Sequence, residues 1–259
     1  MSEGAAPVDD PRCNDWICLL PHGNFGSALV IGPGFGGVPI ALSRMYEVVY
    51  VIDDVLPRLQ FLEARRNEQG LHNIHLILSD KKSPLPILPG SIDLVSICDS
   101  GWIDEGLSFE LVSAQMHRLL KNGGILYFLA KNKMGIQNLW RSRSELESKA
   151  HSMSGYVNVM EREGFSEIDF YAPLPFYDGI PLFYLPLNDK RAMRYFFEHN
   201  FQLFEMVSPE VKKQYGLQYT LAKTAVKCAL PLGLTGLSRH FLSGFAVFAR
   251  KGAGTGPWI

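Results

Sequence analysis

One stretch constrains this chain more than any other: Ala28-Leu29-Val30-Ile31-Gly32-Pro33-Gly34-Phe35-Gly36-Gly37. A short apolar run enters it, glycines fill its middle, and a helical pattern leaves it. That order predicts strand, tight loop, helix. Glycines permit positive φ and let a ligand lie against bare backbone. The helix beyond the loop begins with unpaired N–H groups, and Pro39 suits its first turn, where the missing donor costs nothing. A nucleotide-like ligand is the natural occupant of such a loop.

The chain beyond the loop alternates strand and helix. The pattern predicts strands at 27–31, 48–52, 74–78, 92–98 and 125–129, with helices at 38–45, 57–69 and 107–121 between them. A further helix is expected over 144–164, broken near 152–154, before a sixth strand at 168–172. Residues 188–240 read as mostly helical, and Phe245-Ala246-Val247-Phe248-Ala249 closes the sheet. Such alternation predicts a Rossmann-like α/β fold with helices on both faces. Seven strands are expected, six of them parallel. The last strand, arriving after a long excursion, inserts antiparallel beside the sixth. The expected organisation is a lead-in at 1–26, a core at 27–187, a helical substrate lid at 188–243, and the last strand with its tail at 244–259.

Ligands of such sheets bind at the carboxyl ends of the strands. Acids stand at those ends: Asp53 and Asp54 after the second strand, Asp80 after the third and Asp99 after the fourth. An acid after the second strand can accept both hydroxyls of a ribose. An acid after the third can meet the amino group of an adenine. Singly, each reads as a turn or N-cap residue; in register, they read as a site. The loop itself leaves two ligands open. Gly32, Gly34 and Gly37 have dinucleotide spacing, whereas Gly32, Gly34 and Gly36 suit S-adenosyl-L-methionine (SAM).

Composition narrows the partners. Net charge is −1, from 25 basic and 26 acidic residues, so no basic bias points to nucleic acid. The four cysteines lack paired metal spacing and read as free thiols, with no metal expected. The first ten residues lack the basic and apolar regions of a signal peptide. No apolar run is long enough to span a bilayer, so a cytoplasmic protein of open oligomeric state is expected.

Taken together, the motifs resemble the class I SAM-dependent methyltransferases. The likeness covers roughly residues 27–175 and the final strand. Val30-Ile31-Gly32-Pro33-Gly34-Phe35-Gly36 is similar to the family's first motif, and Tyr50-Val51-Ile52-Asp53 to the end of its second strand. Leu78-Ser79-Asp80 with Leu85-Pro86 is similar to the third. Gly90-Ser91-Ile92-Asp93-Leu94-Val95 resembles the family's fourth strand. Arg118-Leu119-Leu120-Lys121-Asn122-Gly123-Gly124 resembles the turn before its fifth, and Glu163-Gly164-Phe165 the approach to its sixth. A narrower resemblance, to a bacterial subgroup found in polysaccharide and secondary-metabolite gene clusters, rests on Gln60-Phe61-Leu62-Glu63-Ala64-Arg65, Gly101-Trp102, Ala130-Lys131-Asn132-Lys133-Met134-Gly135, Tyr156 and Pro173-Leu174-Pro175. Val30 departs from the family, which commonly carries an acid there.

The resemblance implies SAM as cofactor, with Gly32, Gly34, Gly36, Asp53, Asp54, Asp80 and Asp99 around it. It implies methyl transfer to an oxygen or nitrogen of a small-molecule or glycan acceptor, free or lipid-linked. Where the acceptor is a hydroxyl, a base helps. His151 and Tyr156 are the catalytic candidates, each weighed against a packing role, and Asn132 at the end of the fifth strand is a further pocket candidate. Trp102 walls the pocket or packs in the core. Two other readings stay open: a nicotinamide-dependent oxidoreductase, and a non-catalytic partner protein on the same fold.

Overall fold

The computed structural model describes residues 11–21, 25–81, 83–99, 101–103, 108–135, 150–174, 181–200 and 239–252, together with 220 and 224. Strand β1 (Phe25–Ile31) runs into the glycine loop and helix α1 (Gly37–Leu42). Then follow β2 (Tyr46–Asp53), α2 (Leu56–Glu68), β3 (Ile74–Leu78), β4 (Ile92–Ile97), α3 (Phe109–Leu119) and β5 (Leu120–Lys131). The chain continues through α4 (Met153–Arg162), β6 (Phe165–Leu174), β7 (Phe183–Pro186), α5 (Lys190–Tyr195) and β8 (Gly244–Lys251).

The strands form one sheet in the order β3-β2-β1-β4-β5-β8-β6-β7. Strands β3 to β5 in that order are parallel neighbours. The chain therefore winds outward from β1 in both directions, through β2 on one side and β4 on the other. That reversal is the topological switch point, and it opens a crevice at the carboxyl end of β1. As expected, β8 enters antiparallel, between β5 and β6.

The sheet has eight strands rather than seven. The extra one, β7, pairs antiparallel with β6 at the edge of the sheet. Prolines 181 and 186 bracket it and make the segment read as loop. An edge strand has one side with no ladder to complete, so a proline is tolerated there. Two boundaries also differ from expectation. Strand β5 begins at Leu120, and its register with β4 shifts between Ile92 and Leu94, so Asn122-Gly123-Gly124 lies inside the strand. The break expected near 152–154 is the start of α4, where the Ser152 hydroxyl accepts the Gly155 N–H at 3.2 Å as an N-cap.

Alternation along β1 divides the core into two layers. Leu29 and Ile31 face α3 and α4, with Phe109, Met116, Tyr156 and Met160. Ala28 and Val30 face the other way, with Leu42, Leu59, Leu62 and Trp16. Val30 is thus an apolar core residue beneath the loop. Trp16 comes from a short 3-10 segment, Pro11–Leu19, and stacks on Tyr127 with ring centres 3.8 Å apart. Of the expected lid, α5 and the turn at Phe196–Asn200 pack Met193, Phe196 and Phe197 into the first layer. Residues 201–238 of the expected lid, apart from 220 and 224, lie outside the described residues. Among the described residues no helix is long and apolar enough to cross a membrane.

Candidate functional site

The end of β1 is held between its neighbours. Gly32 donates its N–H to the Ile52 carbonyl at 2.9 Å, and Cys98 donates to the Ile31 carbonyl at 2.9 Å. The loop then turns through positive φ at Gly32 (65°), Gly34 (58°) and Gly36 (90°). The three glycines meet different surroundings. A β-carbon on Gly32 would collide with Asp99, and one on Gly36 with the end of the Leu62 side chain on α2. A β-carbon on Gly34 would touch nothing within 4 Å. Close packing therefore accounts for two of the glycines, and Gly34 alone presents bare backbone to open space.

Asp53 ends β2 and is fully buried, with 0% of its side chain exposed. Its Oδ1 accepts the Val55 N–H at 2.9 Å. Its Oδ2 is also buried and accepts no hydrogen bond among the described residues. Burial pushes the Asp53 carboxyl above the usual carboxylate range, with the Val55 N–H and Arg58 pulling the other way. A buried acceptor without a donor demands an explanation. An acceptor of this kind can take a ligand hydroxyl.

Asp99, just past β4, turns its Oδ1 to the Gly101 N–H at 2.8 Å. Asp54 pairs with Lys81 at 3.7 Å, and its proximity adds to the upward push on the Asp53 carboxyl. Asp80 closes a turn, its two oxygens accepting the Ser83 N–H at 2.8 Å and the Ser83 hydroxyl at 2.7 Å. The structure thus gathers Gly32, Gly34, Asp53 and Asp99 at one crevice. Asp80 stands exposed at the neighbouring strand end, and Asp54 is occupied by a lysine. Trp102 packs in the core beside Asp99, and its indole N–H is a second buried group with no partner among the described residues.

Arg58, in the first turn of α2, is the residue that the sequence alone does not single out. Its Nη1 lies 3.8 Å from Asp53 Oδ2 and 3.6 Å from Asp99 Oδ2. Only one signal hints at it: a cation in a first helical turn opposes the helix dipole, and so implies nearby anions.

The catalytic candidates His151 and Tyr156 gather near the end of β5, beside Asn132. Asn132 is 1% exposed, and its amide donates to the His240 and Leu242 carbonyls at 2.7 Å each. Its Oδ1 accepts the Met134 N–H at 3.0 Å. Asn132 is thus a staple joining β5 to the lead-in of β8. A bridge between Asn132 and His151 sets the histidine at the same end of the sheet. His151 is half-buried, its ring against those of Phe109 and Tyr156. Tyr156 is 2% exposed, and its hydroxyl donates to the Lys131 carbonyl at 3.0 Å. That bond and the surrounding rings hold the Tyr156 side chain in place. Three further candidates from the sequence, Tyr177, Asp178 and His22, lie outside the described residues. Among the described residues no cluster of His, Cys, Asp or Glu is arranged to hold a metal ion.

Comparison with known proteins bears on the domain and the fold. Residues 29–128 match the family described as a methyltransferase domain. No curated protein sequence matches the chain. Among solved structures, the chain resembles a Haemonchus contortus phosphoethanolamine N-methyltransferase in complex with phosphomonomethylethanolamine and S-adenosylhomocysteine (TM-score 0.58, 14% identity, 93% of this chain). It spans about half of that protein, 52% of its length. It also resembles the [4+2]-cyclase SpnF (TM-score 0.55, 17% identity, 97% of this chain and 86% of that one). A third likeness is to the YcgJ protein of Bacillus subtilis (TM-score 0.52, 13% identity, 94% of this chain and 99% of that one). At these identities the likeness is one of fold.

Proposed function

We propose that this chain is a SAM-dependent methyltransferase acting on an oxygen or nitrogen of a small-molecule or glycan acceptor. The observation that carries the reading is the buried Asp53 Oδ2 at the end of β2, which accepts no hydrogen bond among the described residues, together with the open face of Gly34. An adenosyl ligand fits that pair. A ribose hydroxyl supplies the donor that Oδ2 lacks, and Gly34 leaves room for the chain bearing the sulfonium. The methyltransferase-domain match over 29–128 supports the same reading, as do resembling structures solved with SAM or its demethylated product.

In this reading Asp53 holds the ribose, Gly32 and Gly34 line the methionine end, and Asp99 borders the adenosyl group. Asp80, exposed just past the end of β3, takes the adenine amino group while closing its turn with Ser83. SAM supplies an activated methyl group, so the protein's main work is alignment. Well-oriented reactants gain on the order of several kcal/mol from positioning alone. His151 is the half-buried titratable side chain at the acceptor end and takes the proton of an acceptor hydroxyl. Tyr156, bonded to the Lys131 carbonyl, steadies the histidine ring. The gene-cluster subgroup and a cytoplasmic location belong to this proposal.

The same fold occurs in a [4+2]-cyclase, so architecture alone does not fix methyl transfer. The test is transfer itself. The protein is incubated with methyl-deuterated SAM and fractionated small-molecule and glycan pools, and both S-adenosylhomocysteine and labelled products are measured by mass spectrometry. Release of S-adenosylhomocysteine together with a labelled acceptor supports the reading. Binding of SAM with no transfer to any pool would favour the non-catalytic alternative.

A further inference from the structure

The crevice already contains a charged side chain. Strand β1 lies between β2 and β4 in the sheet. Asp53 ends β2, Asp99 follows β4, and one guanidinium nitrogen of Arg58 reaches both, at 3.8 and 3.6 Å. To touch carboxylates on either side of β1, the guanidinium must lie across the carboxyl end of β1. That is the switch point, where a ligand of this sheet has to sit.

The contacts are long. Neither distance is a hydrogen bond, so Asp53 Oδ2 gains an ion pair and keeps its unmet demand for a donor. The arginine is 38% exposed and Asp99 31%, so solvent screens the attraction and water can take the guanidinium's place. Arg58 also sits in the first turn of α2, where the helix dipole disfavours a cation. A hydroxyl donating to Asp53 at hydrogen-bond distance is a better partner for that oxygen than this guanidinium.

From these relationships we infer that Arg58 is a displaceable latch: it bridges Asp53 and Asp99 across the crevice and competes with the adenosyl ligand for them. The inference rests on the adenosyl reading of the site. Binding breaks both ion pairs, swings the guanidinium towards solvent and hands Asp53 to the ribose. Arg58 thereby sets the affinity for the ligand without contributing a contact to it. Loss of the positive charge also leaves Asp53 and Asp99 free to attract a ligand that carries one.

The experiment is calorimetric titration of S-adenosylhomocysteine into the full chain, for wild type, Arg58→Gln and Arg58→Lys, with thermal melts to verify folding. Arg58→Gln is expected to bind about five- to tenfold more tightly, as two half-exposed ion pairs would supply. Arg58→Lys retains the charge and is expected to stay near wild type. A second readout needs no variant: wild-type affinity should rise as salt increases from roughly 0.05 to 0.5 M, because screening weakens the pairs that binding must break. The rise should vanish in Arg58→Gln. Unchanged or weaker binding by folded Arg58→Gln, or wild-type affinity that is flat or falls with salt, overturns the latch while leaving the adenosyl reading intact. Failure of every form to bind any adenosyl ligand overturns that reading and the latch with it.

Discussion

The side-chain amide of Asn132 donates to the Leu242 carbonyl at 2.7 Å, across 110 residues of chain. With the matching bond to His240, it ties the carboxyl end of β5 to the segment that returns into β8. Asn132→Ala removes both donors and leaves carbonyls beside a buried position. Each unmet buried group costs about 1–3 kcal/mol, and each kcal/mol lowers Tm by roughly 2–4 °C at this chain length. A thermal melt should therefore show a loss of several degrees. An unchanged Tm would mean that the staple contributes nothing.

The glycine loop separates folding from binding. Gly32→Ala forces a β-carbon into Asp99 at a positive φ, so it should lower stability and disturb the site together. Gly34→Ala meets no atom within 4 Å and pays only for its left-handed backbone, about 1–2 kcal/mol. Melts and ligand titrations of the two variants should diverge, with Gly34→Ala remaining folded and binding more weakly. Loss of folding in Gly34→Ala, with Gly32→Ala unaffected, would contradict these assignments.

Much of this was legible in the residues. Apolar runs ending in acids located the strand ends, and the glycine pattern located β1 and its loop. The antiparallel insertion of the last strand follows from its late, wholly apolar sequence. Strand β7 was hidden because Pro181 and Pro186 read as loop signals, and an edge position is what makes them acceptable. Arg58 was hidden for a different reason. A helix-start arginine looks solvated until the sheet order brings β2 and β4 to either side of β1. Asn132 and Tyr156 could be placed near the pocket, but only coordinates reveal that their polar atoms bond to main-chain carbonyls.

Asp53 should reveal itself in the pH dependence of stability. Burial raises its folded-state pKa above the unfolded value. The native state then holds a proton that the unfolded state has released, so the contribution of Asp53 falls as pH rises through that window. Asp53→Asn lacks this penalty. Its stability relative to wild type should increase from about pH 4 upward, starting at the ordinary carboxylate value, and then level off. Denaturant unfolding of both proteins across that range is the check. A growing wild-type advantage with rising pH would contradict the assignment.

His151 and Tyr156 should part company in kinetics. If the acceptor is a hydroxyl, His151→Gln should lower kcat by ~10²–10⁴-fold with cofactor affinity retained. Tyr156→Phe loses one buried hydrogen bond, worth about 0.5–1.5 kcal/mol of stability, and should reduce kcat far less. A larger kcat defect in Tyr156→Phe than in His151→Gln would reverse the roles.

The crevice at Gly34 and Asp53 should take an adenosyl ligand of the SAM type. Calorimetric titration of the full chain with SAM, S-adenosylhomocysteine and NADH tests it most directly, with Asp53→Ala as the matched variant. Both adenosyl ligands should bind saturably and one-to-one, and NADH should not bind. Affinity should be at least about tenfold weaker in Asp53→Ala, the loss of a charge-assisted hydrogen bond. Binding of NADH without S-adenosylhomocysteine, or adenosyl binding indifferent to Asp53, would overturn this assignment of the crevice.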